Sequence, residues 1–315
     1  MPCPICHSSA RESVYNLYDD RYGYPGIFSL LRCNQCGHRS LQVKFSPAEL
    51  RNLYSNYYPR STYNLDRHQP YPEVTGFGAW LDGSKSATFR WVPRNVRVLD
   101  IGCGFGESLG YHRARGCDVY GVEADENIRR VTEKFGYRVH VGLFDPNMYE
   151  SNFFDFVTMS QVIEHVTEPV ATLRGIAKIL KPSGTAILST PNAGGWGAGV
   201  FGRRWINWHT PYHLHFFSKQ SLYGAAEAAG LKVDRVVTIT PSAWLSFQLI
   251  HLINYPSLGT PSVFWAPGSS HPCLSHLLFR KLIMATRLIL LPQLISRFFD
   301  AIGRGDNFII VLKKI

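Results

Sequence analysis

The sequence predicts an α/β protein: a doubly wound sheet of seven strands, with a small metal-binding unit before it and a helical insertion ahead of its last strand. Three observations carry that prediction. A buried-strand pattern, Val96 to Ile101, runs into Gly102-Cys103-Gly104-Phe105-Gly106, and the next strand ends on Glu123; that order describes a nucleoside-binding crevice in an α/β sheet. Strand and helix signals then alternate as far as Thr240. Two Cys-x-x-Cys pairs, Cys3/Cys6 and Cys33/Cys36, stand near the N-terminus.

Residues 1–45 are expected to form the first unit, zinc-ribbon-like in its spacing. Two thiolate pairs on facing turns supply the tetrahedral sulfur geometry that zinc accepts, so Cys3, Cys6, Cys33 and Cys36 are expected to hold a structural Zn²⁺. His7 and His38 adjoin the pairs, but four sulfurs already fill the coordination sphere. Asp19-Asp20 and Tyr24-Pro25-Gly26 signal turns, and Phe28 to Leu31 a short strand. A unit this short has little core, so the metal supplies much of its folding energy.

Residues 46–90 read as a connector. Ser46-Pro47-Ala48-Glu49 combines an N-cap, a proline at the first helical position and a capping glutamate. Tyr54, Tyr57, Tyr58 and Tyr63 either pack the first unit onto the main domain or line an entrance to the site. Pro70 to Gly78 reads as a loop and Ala79 to Arg90 as a helix.

The core spans 91–240, with strands at Arg97–Ile101, Asp118–Val122, Tyr137–Val141, Phe154–Met159, Ala186–Thr190 and Lys232–Thr240. Helices are expected near Glu107–Arg115, Glu126–Phe135, Pro169–Leu180 and Lys219–Ala229, with a helix stop and turn at Leu180 to Gly184. The last strand lies within 306–315.

Residues 241–305 form an apolar and basic insertion. Lysine and arginine number 33 against 23 aspartates and glutamates, and no acidic residue lies between Asp234 and Asp300. That interval holds Arg235, Arg280, Lys281, Arg287 and Arg297. Nucleic-acid surfaces are basic and polar; a basic, apolar, carboxylate-free segment fits an anionic membrane surface better. Neither apolar run is long enough to span a bilayer, so two amphipathic helices in the interface plane are expected. The alternative is a helical subdomain packed over the site or against a second subunit. With no leader before Cys3 and with thiols suited to metal, the expected compartment is the cytoplasm, peripheral at the inner face of the membrane.

Gly102-x-Gly104-x-Gly106 is tighter than the dinucleotide pattern, and Asp100 before it would sit awkwardly beside a pyrophosphate. It suits a ligand carrying an ammonium and a sulfonium, with Glu123 accepting ribose hydroxyls. The stretch Asp100 to Gly106 resembles motif I of class I S-adenosylmethionine-dependent methyltransferases, and Glu123 the acidic residue of motif II. Phe154 to Val166 resembles the fourth-strand motif, and Leu180 to Asn192 the element after it in the ubiquinone-biosynthesis-like branch. The resemblance implies a seven-stranded Rossmann-like methyltransferase sheet and S-adenosyl-L-methionine as cofactor. It implies that the methionine part lies on Gly102, Gly104 and backbone near Asp100, with Glu123 on the ribose. Ala124 and Leu143-Phe144-Asp145 would flank the adenine, and Gln161 would face cofactor or substrate.

Removing a proton from an oxygen acceptor calls for a general base. One candidate is His165, next to Glu164; relatives can hold a divalent metal here, but Gln161 stands where their upstream glutamate would be. The other candidates lie in Trp205 to Ser218, where His213 is the expected base or substrate anchor and His209 the next choice. Gly194, Gly195, Gly197 and Gly199 read as a mobile stretch, a lid or a flexible loop.

Three acceptor classes remain open. A zinc-ribbon-like unit ahead of this domain resembles sugar and polysaccharide methyltransferases, so a sugar or lipid-linked glycan is expected first. A prenylated quinone or other lipid is second, and an RNA base third. A degenerate, non-enzymatic module is disfavoured by the intact Asp100, Gly102, Gly104 and Glu123.

Overall fold

The computed structural model describes residues 2–57, 68–266 and 274–315. Tyr58 and Tyr63 of the aromatic connector, and Cys273, lie outside the described residues.

The chain opens with β1 (Arg11–Leu17), β2 (Phe28–Cys33) and β3 (Arg39–Leu41), antiparallel neighbours in a small sheet. Leu17, Phe28, Leu30 and Leu41 are its buried face. The connector begins with α1 (Pro47–Asn52), where Ser46 N–H and Oγ both donate to Glu49 Oε2, closing the expected capping box. Tyr57 packs edge-on against Tyr24 of the first unit, ring centroids 5.0 Å apart.

The helix expected over Ala79–Arg90 does not form. A short α2 (Gly76–Leu81) ends at Asp82-Gly83, and two 3₁₀ turns, Ser84–Ser86 and Thr88–Trp91, follow. Gly83 is left-handed at φ 71, and a Cβ there would stand 2.4 Å from the Thr240 carbonyl oxygen. The backbone must turn at this point to meet the insertion.

The core strands are β4 (Arg97–Ile101), β5 (Asp118–Glu123), β6 (Arg138–Val141), β7 (Phe154–Ser160) and β8 (Leu180–Pro191). Helices α3 (Glu107–Arg113), α4 (Ile128–Phe135) and α5 (Pro169–Ile179) connect them. Pro169 occupies the first turn of α5, where its missing N–H costs nothing. Leu180 already pairs with Phe154, and the expected turn at 181–184 is an irregularity inside β8 rather than a break before it.

After β8 come α6 (Trp196–Phe201), β9 (His215–Phe216), α7 (Lys219–Ala228) and β10 (Leu231–Thr238). The insertion contains three helices among the described residues, not two: α8 (Ala243–Ile253), α9 (Leu274–Ala285) and α10 (Leu291–Ala301). Strand β11 (Asn307–Lys314) closes the main sheet.

The main sheet has seven strands in the order β10-β11-β8-β7-β4-β5-β6. All neighbours run parallel except β11, which is antiparallel to both β10 and β8. Val98, Leu99, Val157, Met159, Ala186 and Leu188 are buried on both faces, as central parallel strands require. The strand order reverses at β4, so the crevice opens at its carboxyl end, where the glycine turn lies.

The small sheet is not closed within residues 1–45. Its order is β1-β2-β3-β9, and β9 belongs to the histidine-rich loop, pairing Ser40 with His215 and Arg39 with Phe216.

Candidate active site

Gly102, Gly104 and Gly106 all take positive φ, at 75, 56 and 83. A side chain would strain each of them. A Cβ on Gly102 would meet Val162 Cγ2 at 2.4 Å, so that glycine lets the segment after β7 lie directly on the turn. A Cβ on Gly104 would meet nothing within 4 Å; it borders open space. Glu123, at the end of β5, accepts from Gly104 N–H at 2.8 Å and Asp125 N–H at 2.9 Å, and Ala124 beside it is exposed. An open backbone edge with a carboxylate beside it suits a nucleoside with vicinal hydroxyls.

The Asp100 side chain anchors the backbone at the start of the turn. It is buried, and its oxygens accept from Ser108 Oγ and from Thr158 Oγ1, the latter at 2.7 Å. Burial raises its pKa to about 6. The carboxyl ties the turn to α3 and β7 rather than standing in the crevice.

Gln161 has φ 55, and its amide nitrogen donates to Ser189 Oγ at 3.0 Å and Asn307 Oδ1 at 2.8 Å. Its amide thus braces β7 against β8 and β11. Phe144 packs in the core against Gly175 of α5, whereas Leu143 beside it stays exposed. Asp145 caps the following 3₁₀ turn by accepting from Asn147 N–H.

The structure gathers the three expected histidines. His165 and His213 have ring centroids 4.6 Å apart, His209 and His213 4.8 Å, and His165 and His209 6.4 Å. His165 Nδ1 lies 2.9 Å from the Tyr212 carbonyl oxygen, and His213 Nδ1 2.9 Å from that of Asn207. A carbonyl only accepts, so in both rings the proton sits on Nδ1 and Nε2 carries the lone pair. His209 Nδ1 then donates to His213 Nε2 across 3.4 Å. Burial lowers the His165 pKa to about 4 and holds those of His209 and His213 well below the ordinary imidazole value, so all three are neutral at physiological pH.

Glu164 is fully buried beside them. Its Oε2 accepts from Thr190 Oγ1 at 3.0 Å, while Oε1 has no partner among the described residues. Burial raises its pKa to about 8. Leu214 and His215 N–H both donate to its backbone carbonyl, which pins the histidine-rich loop to the segment resting on Gly102.

Residues of the first unit reach this cluster, and no local pattern announced them. Tyr22 sets its ring edge-on to His209 and Tyr212, at 5.8 and 5.4 Å between centroids. Arg21 stacks over Trp265 at 4.1 Å and donates to the Ile206 carbonyl. Asp20 pairs with His251 at 3.3 Å, and His251 accepts from Trp265 Nε1 at 3.0 Å. Asp19 accepts from the N–H groups of Arg21, Tyr22 and Tyr24, which holds the loop in shape. Tyr22 of the first unit therefore walls the cluster, and Trp265 and His251 of the insertion back the neighbouring Arg21 and Asp20.

The glycines upstream of this loop are not a lid. Gly195 and Gly197 fit beneath the buried Asp306 carboxylate, and a Cβ on Gly197 would stand 2.1 Å from Asp306 Oδ2. Gly197 N–H donates to Asp306 Oδ1 at 2.8 Å. These residues start α6 and are small because the carboxylate must approach.

Cys3, Cys6, Cys33 and Cys36 converge, all four sulfurs lying within 4.8 Å of one another. Cys3 Sγ is 3.6 Å from Cys36 Sγ, and Cys6 Sγ 3.5 Å from Cys33 Sγ. Disulfides need about 2.05 Å; two sulfurs ~2.3 Å from one tetrahedral ion stand about 3.8 Å apart. Each pair is followed by a left-handed residue, His7 at φ 58 and Gly37 at φ 68, so the two turns match. His7 is exposed and His38 is bonded to His215 at 3.2 Å, so neither replaces a sulfur.

Residues 68–236 match the family described as Methyltransferase domain. Over 170 residues the chain is 30% identical to the ubiquinone biosynthesis O-methyltransferase of Xanthomonas axonopodis pv. citri, covering 49% of this chain and 70% of that protein. It is 33% identical over 166 residues to the protein of that name from Cereibacter sphaeroides, covering 48% and 67%. Among solved structures, an S-adenosylmethionine-dependent methyltransferase from Mesorhizobium loti is similar at 15% identity, over 76% of this chain and 99% of that one, with a TM-score of 0.45. With the matched segment spanning the glycine turn, Glu123 and the stretch after β7 that carries Gln161 and Glu164, the chain belongs to the methyltransferase-domain family and is an S-adenosylmethionine-dependent enzyme of class I fold.

Proposed function

We propose that this enzyme methylates a hydroxyl oxygen on a lipid-type acceptor of the prenylated-quinone class. The observation that carries an oxygen acceptor is the pair of fixed tautomers. His165 and His213 each spend Nδ1–H on a backbone carbonyl and keep an Nε2 lone pair in a buried cluster beside Glu164. The relatives named above are called ubiquinone biosynthesis O-methyltransferases, which favours the quinone class over the sugar or lipid-linked glycan expected first. S-Adenosylmethionine supplies the methyl group; Gly102, Gly104, Glu123 and Ala124 would hold it. His213 takes the hydroxyl proton, with His209 hydrogen-bonded to its Nε2 before the acceptor enters. Zn²⁺ on Cys3, Cys6, Cys33 and Cys36 has a structural role.

A second reading is favoured by one geometry: donor atoms of Glu164, His165 and His213 lie within 4.8 Å of one another. Both histidines give their other nitrogen to a carbonyl, as metal ligands do. A divalent cation held there would acidify the acceptor hydroxyl. Gln161 is turned away from such a site.

The test uses methyl-labelled S-adenosylmethionine with a short-chain prenylated catechol and, separately, a panel of hydroxyl sugars. Label is expected in the catechol, and His213→Ala should lower kcat by about 10²–10⁴ with unchanged cofactor affinity. Label in a sugar instead would overturn the acceptor class. Full activity in His213→Ala would overturn the base, and loss of wild-type activity on chelation, with the four-cysteine site still loaded, would favour the second reading.

A further inference from the structure

The insertion presents an apolar face that none of the described residues covers. Between Leu277 and Ile302, twelve large apolar side chains are exposed, among them Leu282 at 63%, Leu288 at 85%, Ile289 at 70% and Phe298 at 61%. They come from α9, the turn after it and α10, so they form one run along the chain. Helix α2 adds Phe77 and Trp80, also exposed, and lies beside α10 because Arg297 Nη1 donates to the Trp80 carbonyl at 2.7 Å. Exposed apolar patches of this extent mark surfaces that meet a partner.

The charges on this face say which partner. Arg280 and Lys281 are exposed on α9, and the sequence has no carboxylate from Arg235 to Phe299. The acids at its edge are occupied: Asp300 by Arg297 and Thr240, and Asp82 by Ser242 and Arg287. A second copy docking isologously would bring Arg280 and Lys281 towards their own counterparts with no carboxylate to meet them, which opposes self-association. An anionic headgroup layer over hydrocarbon matches both features, cation for anion and side chain for acyl chain. No helix among the described residues is long and apolar enough to cross a membrane, so contact would be in the interface plane.

We propose that α9, the turn at 286–290 and α10 dock this enzyme on an anionic phospholipid surface, with Leu282, Leu288 and Ile289 entering the acyl boundary and Arg280 and Lys281 at the headgroups. This does not depend on which acceptor is methylated.

The test is flotation of the full chain with vesicles of phosphatidylcholine containing phosphatidylglycerol, or of phosphatidylcholine alone. At least tenfold more protein is expected on the anionic vesicles, with the difference shrinking at high salt. Leu282→Asp with Leu288→Asp should abolish flotation, and Arg280→Glu with Lys281→Glu should remove the preference for anionic vesicles. Calorimetric S-adenosylmethionine binding by each variant separates loss of docking from loss of fold. No flotation, or equal flotation on both vesicles, overturns the proposal. So does a stable dimer in sedimentation equilibrium that Leu282→Asp dissociates, which would assign the face to a second copy.

Discussion

Gly102 and Gly104 share a left-handed backbone, yet what surrounds them differs, and so do the expected costs of changing them. Gly102→Ala adds a methyl 2.4 Å from Val162 Cγ2 to a residue at φ 75. Backbone strain and overpacking together should destabilise the fold by about 2–5 kcal/mol. Gly104→Ala meets open space, so only the φ of 56 is paid for, about 1–2 kcal/mol. Its methyl points where the cofactor would lie, so cofactor affinity should fall at least tenfold while the melting temperature moves by a few degrees. Thermal unfolding beside titration calorimetry distinguishes the two. Glu123→Ala should likewise leave the fold standing and abolish measurable cofactor binding. It also frees Gly104 N–H and Asp125 N–H, which water can then reach.

At the level of elements, the joint between the small sheet and the histidine-rich loop governs how the site is built. β9 pairs with β3, His215 bonds His38, and Arg39 donates to the Ala193 carbonyl. The loop that carries His209 and His213 therefore borrows its order from the four-cysteine unit. Cys36→Ser, or chelation of a metal held by the four cysteines, should lower the melting temperature and cut methyl transfer by an order of magnitude or more. Cofactor affinity should change little, because Gly104 lies in the turn after β4 and Glu123 ends β5, both strands of the other sheet. A parallel loss of cofactor binding would mean that the two sheets do not unfold independently.

For the whole molecule, buried titratable groups shape the dependence of stability on pH. His112 and His165 are lowered to about 4, and His209 and His213 well below the ordinary value, all by burial. The unfolded chain binds those protons below about 6.5 and the folded one does not, so stability falls as pH drops below that value. Asp100, Asp306 and Glu164 are raised by burial to about 6, 7 and 8. Their contribution is full at low pH and is lost as pH rises from about 4 through those values. The melting temperature should therefore peak near pH 6–7, with its acid side set by the histidines and a shallower decline above it. Glu164→Gln should flatten that decline, and a melting temperature still climbing at pH 9 would contradict the assignment.

Short-range signals made much of this protein legible before any coordinates. Buried-strand runs, a glycine turn after one of them, Ser46-Pro47-Ala48-Glu49 at a helix start and paired Cys-x-x-Cys turns are each dictated by a few neighbouring residues, so the sequence alone specified the main sheet, the crevice, the capping box and the four-sulfur cluster. Other features have partners far along the chain and leave no local trace. Gln161 is held by Asn307, Tyr22 walls His209, β9 completes the sheet of the first unit, and Gly197 is a glycine because of Asp306. A loop rich in glycine reads the same whether it swings free or packs under a buried carboxylate. Only the packing of distant segments decides between those states, because the apolar burial and hydrogen bonds that hold such a loop are supplied by residues a local pattern does not contain.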